Sequence, residues 1–186
     1  ILSCVLTESV SNIVVTPNVT QSVEYNDTVG LTCTASGTDV SYQWLKDNKT
    51  ISSDNRTVLS VDNKPLTIAA VLRADSGNYT HWDNNTVSND TSHPFYLNVN
   101  YGPELPNVSI IPDKILYSSG TTVKFLCSAD SNPASEFQWF HNGASLQQNG
   151  QQIIINNISM NATGNYTCQA HNNVTLRYNE ATREIQ

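Results

Sequence analysis

The sequence predicts an all-β protein made of two tandem antiparallel β-sandwich domains. Three observations lead there. One plan occurs twice: Cys33, Trp44 and "ADSGNYTH" at 74–81, then Cys127, Trp139 and "NATGNYTC" at 161–168, with cysteine-to-tryptophan gaps of 11 and 12 residues. Short stretches alternate apolar and polar residues with period two, and Asp-Asn, Asn-Gly and Ser-Gly pairs separate them, as strands and tight turns require. No segment sustains a helical period, and 186 residues suit two domains of roughly 90 to 100 residues each.

The elements follow in order. "IVVTP" starts the first copy, and "VGLTCTA" turns Val29, Leu31 and Cys33 to one face. "SYQWLK", "TVLSVD" and "PLTIAAV" are the next strands, and "AAVLRADSG" reads as a one-turn corner before "NYTHW" and "PFYLNV". In the second copy "TVKFLCSA", "EFQWFHNG", "QQIIINNI" and "NYTCQAH" lead to a final strand near "EATREIQ". The joint is "NVNYGPELPNV", residues 98–108, where Pro103 and Pro106 donate no ladder bond and stiffen the connection. The expected domains are residues 1–100 and 101–186.

Composition narrows the function. Charged residues make up 13%, the net charge is −7 and no basic cluster occurs, so nucleic acid is not an expected partner. No apolar run approaches the ~20 residues of a membrane span, and any membrane anchor is expected outside this stretch. "ILSCVLTES" has two readings, the tail of a signal peptide or an ordinary strand. Asn-X-Ser/Thr sequons stand at Asn18, Asn26, Asn48, Asn55, Asn78, Asn84, Asn89, Asn107, Asn157, Asn161, Asn165 and Asn173. Their density points to a heavily glycosylated, extracellular chain, secreted or at the cell surface.

The pattern Cys…Trp…Asp/Asn-x-Gly-x-Tyr-x-Cys resembles that of immunoglobulin domains of the I-set or C2 kind. The resemblance implies an inter-sheet disulfide with the tryptophan against it, and a tyrosine whose hydroxyl bonds back at the corner. In the second copy it assigns these parts to Cys127, Trp139, Asn161, Gly164, Tyr166 and Cys168, with Cys127 and Cys168 paired. From about residue 13 onward the chain also resembles the carcinoembryonic-antigen-related cell adhesion family. It shares tandem short domains, "YGPE" at 101–104, "SGTTVKFLCSADSNP" at 119–133, a tryptophan followed by "HNG" at 139–143, and dense sequons. That resemblance implies cell–cell adhesion or receptor recognition through the outermost domain, by a protein partner that is another copy or a related immunoglobulin-type chain, and no catalysis.

The first copy departs from the pattern. Asp75, Gly77 and Tyr79 stand in place, but His81 replaces the second cysteine. Residues i and i+2 of a strand face the same way, so His81 is expected inside with Tyr79. Three accounts stay open: a hydrogen-bonded core histidine beside a free Cys33, a Cys4–Cys33 disulfide, or a bridge from Cys4 or Cys33 to another chain or a histidine introduced into the sequence. A His–Cys metal site is not expected, because two ligands make a poor zinc site. A disulfide closing a loop of 48 residues would contribute ~4 kcal/mol in the chain-entropy view. Without it, Leu31, Trp44, Leu66, Ile68, Val71 and Leu72 must carry the core, aided by an Arg56–Asp75 ion pair.

No catalytic motif occurs: His81, His93, His141 and His171 are scattered, and nucleophile-elbow, zinc-protease and phosphate-loop signatures are absent. No enzyme activity and no cofactor are expected. If Tyr79, His81 and Trp44 face in, then Gln43, Leu45, Trp82 and Tyr96 face out on the front sheet, an aromatic cluster suited to a contact. Asn78 would place a sugar on the same sheet, while Asn157, Asn161, Asn165 and Asn173 shield the second domain as a spacer. Two other readings are an immune-type receptor or decoy for a soluble or microbial ligand, and a secreted polymer subunit linked through Cys4.

Overall fold

A computed structural model describes residues 6–114 and 116–186; Cys4 and its pairing lie outside the described residues. The chain divides after Val99 into two compact units.

In the N-terminal unit the strands are β1 (Ser11–Pro17), β2 (Ser22–Val23), β3 (Val29–Ser36), β4 (Ser41–Lys46), β5 (Lys49–Thr50), β6 (Thr57–Leu59), β7 (Pro65–Ile68), β8 (Gly77–Asn84), β9 (Asn89–Thr91), β10 (Phe95–Leu97) and β11 (Val99–Asn100). One sheet runs β1-β3-β7-β6 and another β10-β8-β4-β5, with β9 hairpinned onto β8, while β2 and β11 pair as a separate two-stranded sheet. A single 3-10 turn, Arg73–Asp75, makes the expected corner before β8. Between the sheets lie Val29, Leu31, Cys33, Trp44, Leu66, Ile68, Val71, Tyr79, Leu97 and Val99. Leu72, expected among them, is only half-buried, because it caps the 3-10 turn.

The C-terminal unit has β12 (Asn107–Ile111), β13 (Val123–Ser128), β14 (Glu136–His141), β15 (Ala144–Asn149), β16 (Gln152–Ile155), β17 (Gly164–Asn172) and β18 (Arg177–Ile185), in sheets β12-β13-β16 and β15-β14-β17-β18. Cys127 and Cys168 are joined across the sheets, with their Cα atoms 6.4 Å apart. Trp139 is fully buried in the same core and its indole donates to the Gly150 carbonyl at 3.0 Å. Phe125 fills the space between Trp139 and Tyr166, stacking on the tyrosine at 4.4 Å between ring centroids.

The repeated Gly-Asn-Tyr-Thr has a structural cause. In each unit a two-residue hairpin precedes it: Asp47-Asn48 joins β4 to β5, and Asn142-Gly143 joins β14 to β15. All four residues have positive φ (48°, 64°, 49° and 80°), as a type I′ turn demands. The first turn side chain then accepts the backbone N–H of the asparagine opening the long strand, Asp47 from Asn78 at 3.0 Å and Asn142 from Asn165 at 2.9 Å. The preceding glycine makes room for it. A Cβ on Gly77 would lie 2.6 Å from Asp47 Oδ2, and one on Gly164 would lie 2.8 Å from Asn142 Cγ, and both have positive φ. Two residues on, the tyrosine hydroxyls donate to the corner carbonyls of Asp75 at 2.7 Å and Ala162 at 3.0 Å.

Several sequence expectations need correction. Asn161 does not hold the corner of the second unit; Ala162 occupies that place, and its backbone carbonyl serves without a polar side chain. "TVLSVD" ends as a strand at Leu59, since Ser60 and Asn63 close a turn (2.9 Å) that leaves Val61 fully exposed. β5, β9 and β15 carry no sequence signal, because their polar side chains show no alternation, and β12 lies partly in the stretch that reads as a joint.

Candidate functional site

The outer face of the β10-β8-β4-β5 sheet carries the expected contact residues. The register pairs Gln43 with Trp82, Leu45 with Thr80, and Tyr96 with Asn78. Gln43, Leu45 and Trp82 are therefore neighbours, and the Gln43 amide donates to Thr50 Oγ1 on β5 at 3.3 Å. All three are half-buried, so Trp82 shows part of its ring rather than standing free. Tyr96 is 59% exposed but lies at the other end of the face. It sits opposite Asn78, four strand residues or about 13 Å from Trp82. The four residues share a face without forming one cluster.

The sequons frame that face. All the sequon asparagines are exposed except Asn84, which is half-buried at the end of β8. Asn78 points outward beside Tyr96, whereas Asn48 is in the β4–β5 turn and Asn89 is on β9. A sugar on Asn78 would lie at the Tyr96 end, and one on Asn84 would lie at the Gln43–Trp82 end.

Beneath the face lies the answer to the missing cysteine. Inward positions of β8 are Gly77, Tyr79, His81 and Asp83, all buried. His81 is paired with Trp44 across the strands, as Cys168 is paired with Trp139 in the other unit. Its ring meets the Trp44 indole edge-on at 4.6 Å. Nε2 donates to the Asn63 carbonyl at 3.0 Å, and Nδ1 is hydrogen-bonded to Asp83 Oδ1. The other oxygen, Asp83 Oδ2, is buried and makes no hydrogen bond among the described residues; the same holds for the Trp44 indole N–H. Cys33 faces the pair from β3 as a free, buried thiol, and its Sγ donates weakly to the Thr34 carbonyl at 3.7 Å. The donor atoms of Cys33, His81 and Asp83 all lie within 4.8 Å of one another.

A cysteine hydrolase uses the same three groups, thiol, imidazole and carboxylate, but the chemistry here differs. None of the three is more than 2% exposed, so no substrate reaches the sulfur. Burial first, and the nearby Asp83 second, push the Cys33 thiol up to about 12, which removes the thiolate that nucleophilic attack needs.

Two ion pairs brace this unit where its sister has a disulfide. Arg56 grips Asp75 with both terminal nitrogens, at 2.8 and 3.3 Å, and Asp75 also accepts the Leu72 N–H at 2.8 Å. This bonding to Asp75 raises the Arg56 guanidinium further above its ordinary value. The second pair carries no sequence signal. Glu24 is buried and takes three bonds from the Arg73 side chain (2.7–3.2 Å) plus the Arg73 N–H at 3.0 Å. Asp83 escapes sequence reasoning in the same way. Its i+2 spacing from His81 is the one available signal, and Trp82 between them faces outward.

Two facing antiparallel sheets with a buried tryptophan, a tyrosine corner and, in one unit, the bridging disulfide define an immunoglobulin domain. The immunoglobulin domain family matches residues 12–80 and 106–172, and the chain belongs to it. Among solved structures it is similar to the N-terminal four Ig domains of Dscam1 isoform 6.9, at 21% identity and TM-score 0.59, over 98% of this chain and 46% of that one. It is also similar to the full ectodomain of mouse nectin-like molecule 4, at 18% identity and TM-score 0.66, over 96% of this chain and 65% of that one. A third likeness is to the N-terminal eight Ig domains of Down Syndrome Cell Adhesion Molecule isoform 1.30.30, at 21% identity and TM-score 0.55, over 89% and 24% of the two chains. The chain thus spans less than two thirds of each of these structures, and the likeness is one of fold. No helix among the described residues is long and apolar enough to cross a membrane.

Proposed function

We propose that this chain is a glycosylated recognition segment of an extracellular adhesion protein, which binds another copy or a related immunoglobulin-type chain through the front sheet of its N-terminal domain. The observation that carries this is the Gln43–Leu45–Trp82 end of the face. It is a half-buried aromatic beside an aliphatic and an amide, of the kind that anchors protein contacts. Sugars at Asn18, Asn26 and Asn55 would restrict other surfaces, whereas Asn84, half-buried two residues from Trp82 on the same side of β8, must stay free of sugar for this contact to form. The role is binding, not catalysis: the thiol, imidazole and carboxylate that come together are sealed in a core. The resemblance to the carcinoembryonic-antigen-related family and the adhesion proteins among the structural likenesses support the same reading. The second domain, with Asn157, Asn161, Asn165 and Asn173 exposed, serves as a sugar-clad spacer.

One observation favours a second reading, a receptor or decoy for a different ligand. Asn78 sits on the same face, and its sugar would narrow the area that two copies can share. Sedimentation of the glycosylated chain over a range of concentrations separates the two. Homophilic adhesion predicts a reversible dimer that Trp82→Ala weakens by roughly tenfold or more, the usual loss at a contact anchor, and that Asn78→Gln strengthens or leaves unchanged. A strict monomer before and after removal of the Asn78 sugar rejects self-association and favours the second reading.

A further inference from the structure

We propose that Cys33, His81 and Asp83 bind a zinc ion in the core of the N-terminal domain, at the place where the sister domain carries its disulfide. Two ligands do not make a site; the structure supplies the third. Thiolate sulfur, imidazole nitrogen and carboxylate oxygen are a donor set that suits zinc, a borderline-soft ion without geometric preference of its own. The three donor atoms already lie within 4.8 Å of one another.

Two further observations point to a cation rather than to an ordinary buried pair. Asp83 is 0% exposed, yet its Oδ2 makes no hydrogen bond among the described residues. A buried carboxylate oxygen without a partner is costly, and a metal bond answers it. His81 is already oriented as a metal ligand is. Nε2 donates to the Asn63 carbonyl at 3.0 Å, which holds its hydrogen there and leaves Nδ1 directed toward the carboxylate. This outer bond of a ligating histidine to a backbone carbonyl fixes tautomer and ring in zinc sites generally.

The charges close as well. A dication with one thiolate, one carboxylate and a neutral imidazole sums to zero, which a core tolerates. On binding, the thiol proton and the proton held between Nδ1 and Oδ1 leave to solvent; no electron moves. Three protein ligands leave one position of a tetrahedron for a water molecule. Because the ligands are sealed between the sheets, the ion enters as the domain folds, and its binding energy becomes folding energy, as the disulfide's is next door.

The test uses the intact glycosylated chain, secreted from cells grown with zinc and also refolded in zinc buffer. Elemental analysis is expected to find about one zinc per folded chain, and cobalt exchange to give a thiolate-to-cobalt absorption band. Cys33→Ser and Asp83→Asn should each lower zinc affinity at least tenfold, in line with or beyond what loss of a supporting group costs. If either variant fails to fold, His81→Cys decides. Its new thiol faces Cys33 in the register of Cys168, so it folds with a disulfide and should carry no zinc and no cobalt band. Zinc below about one tenth of an equivalent in the refolded wild-type chain, zinc equally retained in all three variants, or a Cys4–Cys33 disulfide found by peptide mapping would each overturn the proposal.

Discussion

Without a bound metal, Cys33 is held as a protonated thiol by its surroundings, mainly by burial and then by the neighbouring Asp83, which together move it from an ordinary 9.0 to about 12. A pKa raised on folding means that the group contributes stability below about pH 9 and loses it as pH climbs toward 12. At pH 8 the folded chain would then carry about a thousandfold less thiolate at this position than the unfolded chain, and thiolate is the reactive form. We expect Cys33 in a metal-free Cys4→Ser chain to alkylate at least about a thousandfold more slowly at pH 8 than in urea. Alkylation of the folded chain at the unfolded rate would show that the thiol is not sealed. The residue scale is half legible in the sequence. That His81 faces in with Tyr79 follows from strand period alone, but its bond to the Asn63 carbonyl joins a strand to a turn 18 residues away. No local pattern announces a partner at that separation.

At the scale of elements, the hairpin turn and the long strand after the corner act as one device in both units. The turn side chain caps the strand's first N–H, and the glycine before that asparagine leaves space for it. Gly164 has φ +122°, a conformation that L side chains rarely adopt, and a Cβ there meets Asn142. Gly164→Ala should therefore destabilise the C-terminal domain by about 1–3 kcal/mol, read as a shift in denaturant midpoint at constant slope. Adding Asn142→Gly relieves the collision but not the backbone strain, so the double variant should recover only part of the loss. Full recovery would assign the whole cost to the clash, and no loss in Gly164→Ala would refute the device. The repeated tetrapeptide is legible as a motif. Its cause is not, because it depends on a turn more than twenty residues upstream folding back onto it.

At the scale of the whole molecule, two immunoglobulin domains solve one stability problem in different ways. The C-terminal domain closes a separation of 41 residues with Cys127–Cys168, worth about 4 kcal/mol in the chain-entropy view. The N-terminal domain relies on Arg56–Asp75, Glu24–Arg73 and the His81–Asp83 pair within its core. A Cys127→Ala/Cys168→Ala chain should therefore lose about 4 kcal/mol from one domain alone. Calorimetry is expected to show one thermal transition falling steeply and the other staying in place. A common shift of both would mean that the domains unfold as one unit.

The class of fold, the repeat, the inward direction of His81 and the sharing of one sheet face by Gln43, Leu45, Trp82 and Tyr96 are all readable along the chain. All of these rest on period and spacing, which are local properties of a strand, and the likeness to immunoglobulin domains added the disulfide pair. That Tyr96 stands apart from Trp82, that Glu24 is buried against Arg73, and that Cys33, His81 and Asp83 meet at one point emerge with the folded chain. Those facts depend on register between strands far apart in the chain, and register is set by the packing of two sheets against each other.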